Sequence, residues 1–266
     1  MEMIQDVQAI DVHAHYGAYP VGRSVLIARF MGGDADVIVA RARLANTALS
    51  IVSPLKALMP RFKADAAAGN EEAASVVPEL DELRQWVVVH PLQPRTYDQA
   101  DQMLLTPKCV GIKIHPEEHG YPIKEHGRAI FEFAAHHEAV VLTHSGEANS
   151  MPEDFVPFAD DFPQVKLIVA HLGCTCDEEP DHQVRAIQSS RHGNVYVDTS
   201  SSNSIKPRLI EWAVAEVGPQ RLLYGTDTPL YWAPMQRVRI DTAEIGDDAK
   251  RMILRENAMQ LLNLGD

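Results

Sequence analysis

Two histidines, two positions apart, stand near the start of the chain at the end of an apolar run. The run over residues 7–12 predicts a buried strand that leads into His13 and His15. Because the side chains of a strand alternate between its two faces, we expect both imidazoles on the same face. Two neutral imidazoles on one face can hold a transition metal ion. A metal site would need further ligands at the same edge of the sheet, and the rest of the chain must supply them.

Other metal-binding residue types follow predicted strands further along the chain. Seven more apolar runs predict strands, at 48–52, 86–91, 110–116, 140–146, 165–173, 194–200 and 221–227. Four of these runs have a histidine at or near their end: His90, His115, His144 and His171. The last run ends in Asp227. Imidazole nitrogen and carboxylate oxygen together suit a first-row metal ion. The later strands therefore offer the additional ligands.

Helical patterns, the last two at 242–254 and 257–262, separate these strands, which predicts a parallel sheet covered on both faces. The chain of 266 residues has the size of a single (β/α)8 barrel, about 250 residues. We therefore predict an α/β fold, a TIM barrel of the metal-dependent hydrolase type, formed by one domain over residues 1–266. Its active site would lie at the carboxyl ends of the strands. A doubly wound open sheet is the alternative, although no GxGxxG motif follows the first strand.

Composition limits the kinds of partner. The formal net charge is −13, which disfavours nucleic acid or an anionic membrane surface as a partner. No stretch approaches the roughly 18 consecutive apolar residues of a membrane span. Three cysteines are too few for a disulfide framework and the N-terminus has no signal-peptide pattern, so we expect a cytoplasmic protein with a small-molecule substrate.

A metal held by these residues indicates a limited range of chemistry. A bound divalent ion lowers the pKa of a water ligand to about 7 and polarises a carbonyl oxygen. The residue pattern therefore favours metal-assisted hydrolysis or a related lyase step. Cys174 and Cys176, just after His171, form a CxC pair that we predict to be an ordinary loop, since no second cysteine pair accompanies it.

The motifs at the strand ends resemble those of the amidohydrolase superfamily. They are Asp-Val-His-Ala-His at 11–15, Gly-Ile-Lys-Ile-His-Pro at 111–116, Leu-Thr-His-Ser at 142–145, Ala-His-Leu-Gly at 170–173 and Tyr-Gly-Thr-Asp-Thr-Pro at 224–229. Within the superfamily, the chain is most similar to the amidohydrolase-related branch that includes aminocarboxymuconate semialdehyde decarboxylase. The resemblance covers nearly the whole chain.

The resemblance implies roles for individual residues. His13, His15, His144 and Asp227 would ligate a divalent metal, most often zinc. His171 would be a catalytic histidine, and Asp227 would also take a proton from the attacking water. A carboxylate that touches both metal and water is well placed for such general-base work.

Lys113 leaves the number of metal ions open. In binuclear relatives a lysine at the end of the fourth strand is carboxylated and bridges two ions. With one ion, which we favour, Lys113 would instead bind a substrate carboxylate as a point charge, next to His115 as a second substrate contact.

The leading hypothesis is a metal-dependent hydrolase of a small-molecule ester, lactone or amide-type bond. The alternative is a metal-dependent nonoxidative decarboxylase of a small carboxylic acid on the same scaffold. Outside enzymes, the barrel would be a small-molecule or metal binder. Segments 16–33 and 231–241 are predicted to be loops that determine specificity, and by analogy with relatives we expect a homo-oligomer.

Overall fold

Eight parallel strands, hydrogen-bonded to one another in chain order, form the centre of the protein. The computed structural model describes residues 4, 6–20 and 24–265. The strands are β1 (Ala9–Tyr16), β2 (Thr47–Pro54), β3 (Leu83–Val88), β4 (Cys109–Ile114), β5 (Val140–Thr143), β6 (Leu167–Val169), β7 (Val195–Asp198) and β8 (Leu222–Leu223).

The sheet curves until its first and last strands meet. The Val12 amide donates to the Tyr224 carbonyl at 2.9 Å, and the His15 amide donates to the Thr228 carbonyl at 2.7 Å. Ala14 and Thr228 form a parallel bridge just beyond the end of β8. The strands therefore form a nearly closed barrel, and the predicted (β/α)8 fold is confirmed.

Helices separate the strands. The α-helices are α1 (Val25–Phe30), α2 (Ala35–Leu44), α3 (Leu55–Leu58), α4 (Ala66–Val76), α5 (Arg95–Met103), α6 (Pro116–His119), α7 (Ile123–His136), α8 (Val156–Asp161), α9 (His182–Ser189), α10 (Leu209–Val217), α11 (Ala233–Asp241), α12 (Asp247–Arg251) and α13 (Asn257–Leu261). A π-helical segment, Met252–Glu256, joins α12 to α13. No helix in the described ranges combines the length and the apolar character needed to cross a bilayer.

Apolar side chains fill both faces of the sheet. Inside the barrel, Ile10, Val12 and Trp86 belong to one buried cluster, and the Trp86 indole donates to the Val12 carbonyl at 2.9 Å. Alternate residues such as Val87 and Ile112 face outward and pack with the helices in a second cluster. Burial on both faces explains why the strands appear in the sequence as nearly continuous apolar runs.

Two predictions near the C-terminal end were wrong. Segment 231–241, predicted as a loop, is mostly α11. Its Pro234 does not interrupt the helix, because it lies in the first turn, where proline's missing amide costs no hydrogen bond. The helix predicted at 242–254 begins only at Asp247 and becomes π-helical at Met252.

Segment 16–33, also predicted as a loop, contains the short helix α1, and its residues 21–23 lie outside the described residues.

Candidate metal centre

Three predicted metal ligands converge at the carboxyl end of the barrel. His15 Nε2 lies 3.0 Å from Asp227 Oδ1, and His13 Nε2 lies 3.8 Å from the same oxygen. All three side chains are buried. Their donor atoms lie within 4.8 Å of one another, close enough to hold a single ion.

Backbone irregularity brings the two histidines into this position. The register of β1 against β2 shifts between Asp11 and Ala14, so β1 carries a bulge there. Asp227 has a left-handed backbone with φ of 59°, and its amide donates to the His13 carbonyl at 2.7 Å. Bulges and left-handed residues commonly re-aim side chains at active sites. The segment after β8 is thereby fixed against the end of β1.

Asp11 strengthens the same junction from the outer side of β1. One of its carboxylate oxygens accepts from the amides of His13 and Thr226, each at 3.0 Å, and the other accepts from the Thr226 hydroxyl at 2.5 Å. Burial raises the pKa of Asp11 to about 7, against the opposing effect of these donors. Asp11 therefore holds the ligand-bearing segments together without touching the cavity.

Each imidazole is oriented through its Nδ1 atom. His13 Nδ1 lies 2.8 Å from Asp198 Oδ2, and His15 Nδ1 lies 3.1 Å from the Ser53 carbonyl oxygen. A carbonyl oxygen only accepts, so His15 carries its proton on Nδ1, and the carboxylate of Asp198 favours the same tautomer in His13. The Nε2 atoms of both rings then face Asp227. This is the arrangement that metal-binding histidines have in proteins.

Asp198, at the end of β7, organises the neighbouring residues. Its Oδ1 atom accepts from the His171 amide at 3.0 Å, from the Ser200 amide at 2.9 Å and from the Ser200 hydroxyl. Burial disfavours its ionisation, but the adjacent His13 outweighs this and lowers the pKa of Asp198 well below its usual range. Its oxygens are thus occupied, so the group of His13, His171 and Asp198, although compact, is a hydrogen-bonded support and not a second ion site.

Asp227 is held in its ionised form. Burial opposes the charge, but the contact with His15 and the nearby His13 and His171 rings lower the pKa of Asp227 far below its ordinary value. Burial, together with the charge of Lys113, lowers the pKa of His13 to about 4. An ionised carboxylate beside the neutral His13 imidazole is the protonation state that a divalent cation requires of its ligands.

Lys113, on β4, contacts the metal centre directly. Its Nζ atom lies 3.0 Å from His13 Nε2, and only 1% of the residue is exposed. Burial lowers the pKa of Lys113 to about 8, while Asp198 and Asp227 partly offset that effect. Lys113 does not line the cavity, so its predicted contact with substrate stays a prediction.

His144 and His171 form a second pair beside the three converging ligands. His144 Nδ1 lies 3.1 Å from His171 Nε2, and His171 Nδ1 lies 2.8 Å from the Ser200 hydroxyl. His144 Nε2 lies 2.8 Å from Glu147 Oε2. His144 is outside the compact group around Asp227, and its predicted role as a ligand stays a prediction.

A cavity of about 320 Å³ opens above the centre. Six predicted site residues line it: His13, His15, His115, His144, His171 and Asp227. The His115 ring stacks on His144 with 4.2 Å between centroids. Cys174 and Cys176 also line the cavity, so this loop belongs to the site, and both cysteines are free thiols.

Sequence reasoning missed two acidic residues of the cavity. Glu118 and Glu147 both line it. Each stands three residues beyond a strand-end histidine, His115 and His144, so proximity along the chain was a usable signal. His90, in contrast, lies outside the cavity and stacks on His119 with 4.4 Å between centroids.

The donor set fits a divalent metal ion. Two imidazole nitrogens and one ionised carboxylate face a common point, and each imidazole is supported through its other nitrogen. The cavity leaves this point accessible to a small molecule. An open position next to three protein ligands is typical of catalytic metal sites.

Comparisons with known proteins agree with this assignment. The amidohydrolase family model matches residues 10–264, nearly the whole chain. No curated protein sequence matches the chain. Among solved structures, it is similar to 2,6-dihydroxybenzoate decarboxylase from Rhizobium, with a TM-score of 0.76 and 13% sequence identity, covering 97% of this chain and 99% of that one.

Two further solved structures contain manganese. A 5-carboxyvanillate decarboxylase from Novosphingobium aromaticivorans, complexed with manganese and 4-hydroxy-3-methoxy-5-nitrobenzoic acid, matches with a TM-score of 0.74, 14% identity and coverage of 98% of this chain and 97% of that one. A dihydroxybenzoic acid decarboxylase from Polaromonas with manganese and 2-nitroresorcinol matches with a TM-score of 0.74, 14% identity and coverage of 97% of both chains. The predicted resemblance to the decarboxylase-containing branch is thereby confirmed.

Proposed function

The chain belongs to the amidohydrolase family, and we propose that it is a metal-dependent, nonoxidative decarboxylase of a small aromatic carboxylic acid. The observation that carries the proposal is the convergence of His13, His15 and Asp227 at the floor of a cavity of about 320 Å³. The full-length similarity to decarboxylases with manganese supports decarboxylation more than hydrolysis. The sequence alone favoured hydrolysis, with decarboxylation as its alternative.

The metal is proposed to be held by His13, His15 and Asp227, with His144 as the further ligand implied by the sequence. A divalent ion at this place supplies positive charge that binds an anionic substrate and stabilises the negative charge that develops as carbon dioxide leaves. Manganese in the related structures and zinc, expected from the sequence, are both compatible with imidazole and carboxylate ligands.

Decarboxylation replaces a carbon–carbon bond with a carbon–hydrogen bond. The electron pair of the broken bond stays on the ring carbon, which must then receive one proton. Asp227 is poorly suited to supply it, because its neighbours keep it ionised. His171 is better placed, since its Nδ1 contacts Ser200 and its Nε2, in contact with His144, can carry an additional proton.

An anionic substrate would assist this role of His171. Burial lowers the pKa of His171 well below its usual value, which favours the neutral ring. A carboxylate bound in the cavity favours the protonated ring, because opposite charges attract strongly in a buried site. His171 would therefore gain its proton together with the substrate and deliver it from Nε2 to the ring carbon.

Hydrolysis stays the second candidate, because Asp227 and Lys113 also suit that reaction. The ionised Asp227 is suited to accept a proton from water, and Lys113 reaches His13 Nε2 in the metal centre. If Lys113 is carboxylated, it could bridge two ions, as in binuclear hydrolases. The one-ion and two-ion alternatives are separated by counting metal per chain in the native protein and in a Lys113→Ala variant.

The function is tested with purified protein loaded with manganese or zinc. Hydroxybenzoic acids with one carboxylate, including 2,6-dihydroxybenzoate, are supplied in deuterated water, and released carbon dioxide and product deuteration are measured. We expect carbon dioxide and a single deuterium at the carbon that lost the carboxylate. Asp227→Asn should lower turnover by about 100-fold or more, whereas the exposed Asp101→Asn serves as the matched control.

Metal-stimulated cleavage of esters, lactones or amides, with incorporation of oxygen from labelled water and no release of carbon dioxide from any acid, would establish hydrolysis instead.

A further inference from the structure

Charge is unevenly distributed along the cavity of the proposed active site. Its floor holds the proposed metal ligands His13, His15 and Asp227, which are all nearly inaccessible to solvent. Its outer part is lined by Glu118 and Glu147, whose side chains are 20% and 42% exposed. No lysine or arginine is among the described residues that line this cavity.

The glutamates at the mouth are only partly neutralised. Arg61 contacts three carboxylates: Glu117 at 3.1 Å, Glu118 at 3.3 Å and Glu147 at 3.9 Å. Three acids around one guanidinium leave an excess of negative charge. Arg61 is thus already engaged and cannot receive a substrate carboxylate without giving up these contacts.

The positive charge that can attract a substrate carboxylate lies at the floor. Lys113 is buried against His13, and the proposed metal ion would add its charge at the same place. The metal ion is the cation that would face the cavity, and it can accommodate one carboxylate group there. A second carboxylate on the opposite side of an aromatic ring would point toward the mouth and meet Glu118 and Glu147.

From this distribution we propose that the protein selects aromatic acids with a single carboxylate, and that Glu118 and Glu147 exclude dicarboxylates by charge repulsion. The inference rests on the proposed function, since it assumes that one carboxylate binds at the metal centre. Like charges in a partly buried site repel over several ångströms, and rejection of this kind is an effective route to specificity. A neutral substituent of the same size would be accepted.

Binding of nitro analogues tests the proposal without relying on turnover. The related structures hold aromatic nitro compounds, so we choose three probes that differ at one position. They are 2-nitrophenol, 4-hydroxy-3-nitrobenzoic acid, which adds a carboxylate, and 4-hydroxy-3-nitrobenzamide, which adds a neutral group of similar size. Affinities for the manganese-loaded protein are measured by calorimetry.

We expect the carboxylate probe to bind about tenfold or more weakly than the amide probe. In Glu118→Gln the difference should shrink by about threefold, and in the double variant Glu118→Gln with Glu147→Gln it should nearly disappear. Added salt should reduce the difference in the native protein, because the mouth is partly exposed. Glu132→Gln, an exposed glutamate of α7, is the matched control and should leave the difference unchanged.

The possible failures are distinguishable. Equal affinity for the carboxylate and amide probes in the native protein would overturn the inference and leave the proposed function standing. A difference that persists in the double variant would overturn it as well, since the glutamates would not be its cause. If none of the three probes binds the metal-loaded protein, the proposed function itself fails, and the inference fails with it.

Discussion

The His13 imidazole shows how a single side chain joins the two halves of the site. Its Nδ1 contacts Asp198 on β7, and its Nε2 faces Asp227 and Lys113. The spacing of His13 and His15 predicted that both rings would serve one ion. Which nitrogen faces the ion was not predictable, because the orienting residue Asp198 lies 185 positions away along the chain.

Asp198 is expected to control metal affinity through His13 without being a ligand. In Asp198→Asn the carboxylate charge is lost, and the amide does not fix the Nδ1 proton of His13 equally well. We expect metal affinity to fall by about 10- to 100-fold, measured by competition with a chromophoric chelator. Unchanged affinity would contradict the role assigned to Asp198, and Asp101→Asn on the surface is the control.

At the scale of elements, the burial of the strands explains why they could be predicted from the sequence. Strands covered on both faces are continuous apolar runs, so each of the eight was recognisable, and so were the histidines that follow them. The helices after β8 were less predictable because packing determines their bounds. For example, Met252–Glu256, which buries Ile253 and Leu254, is π-helical, whereas the sequence pattern predicted a continuous α-helix there.

The loop after β5 depends on a glycine that contacts the loop after β6. Gly146 has φ of +100°, and a Cβ atom there would lie 2.1 Å from the Cys174 carbonyl oxygen. Gly146→Ala should therefore destabilise the fold by about 1–3 kcal/mol, and it should weaken metal binding because His144 is two residues away. Urea denaturation and metal titration measure both effects.

Gly265→Ala is the control for this substitution, because nothing lies within 4 Å of a Cβ at that position. A Gly146→Ala protein with native stability would show that the two loops can separate at little cost.

At the scale of the whole molecule, Arg237 connects distant parts of the chain. Its guanidinium lies 2.9 Å from Asp241 Oδ2 on α11, and it donates to the carbonyls of Ile4 at 2.6 Å and Val7 at 2.9 Å. Only 4% of Arg237 is exposed, and Asp241 is equally buried. This contact fastens the segment before β1 to the helix after β8 at the amino end of the barrel.

Arg237→Lys is expected to lower the free energy of unfolding by about 3 kcal/mol or more. A lysine cannot donate in the three directions of the guanidinium, and Asp241 would be left with a poorer partner. Urea denaturation measures the loss. The exposed Arg191→Lys, which changes the same residue type in a surface pair with Asp160, should cost less than about 0.5 kcal/mol, and an equal loss in both variants would refute the argument.

Metal binding should stabilise the entire barrel, because the ligands come from its first and last strands. At a free metal concentration about 100 times the dissociation constant, the gain is about 2.7 kcal/mol. A chelator should therefore lower the melting temperature of the native protein but leave His13→Ala nearly unaffected. An equal response of both proteins to the chelator would place the stabilising ion elsewhere.

The close approach of Gly146 to Cys174 also bears on how this site changes in evolution. The loops after β5 and β6 meet backbone to backbone, and the Cys176 amide donates to the Gly146 carbonyl at 2.7 Å. An insertion in either loop would force the other to move. Descendants of this chain that act on a new substrate are therefore expected to change both loops together, because a change in one requires a compensating change in the other.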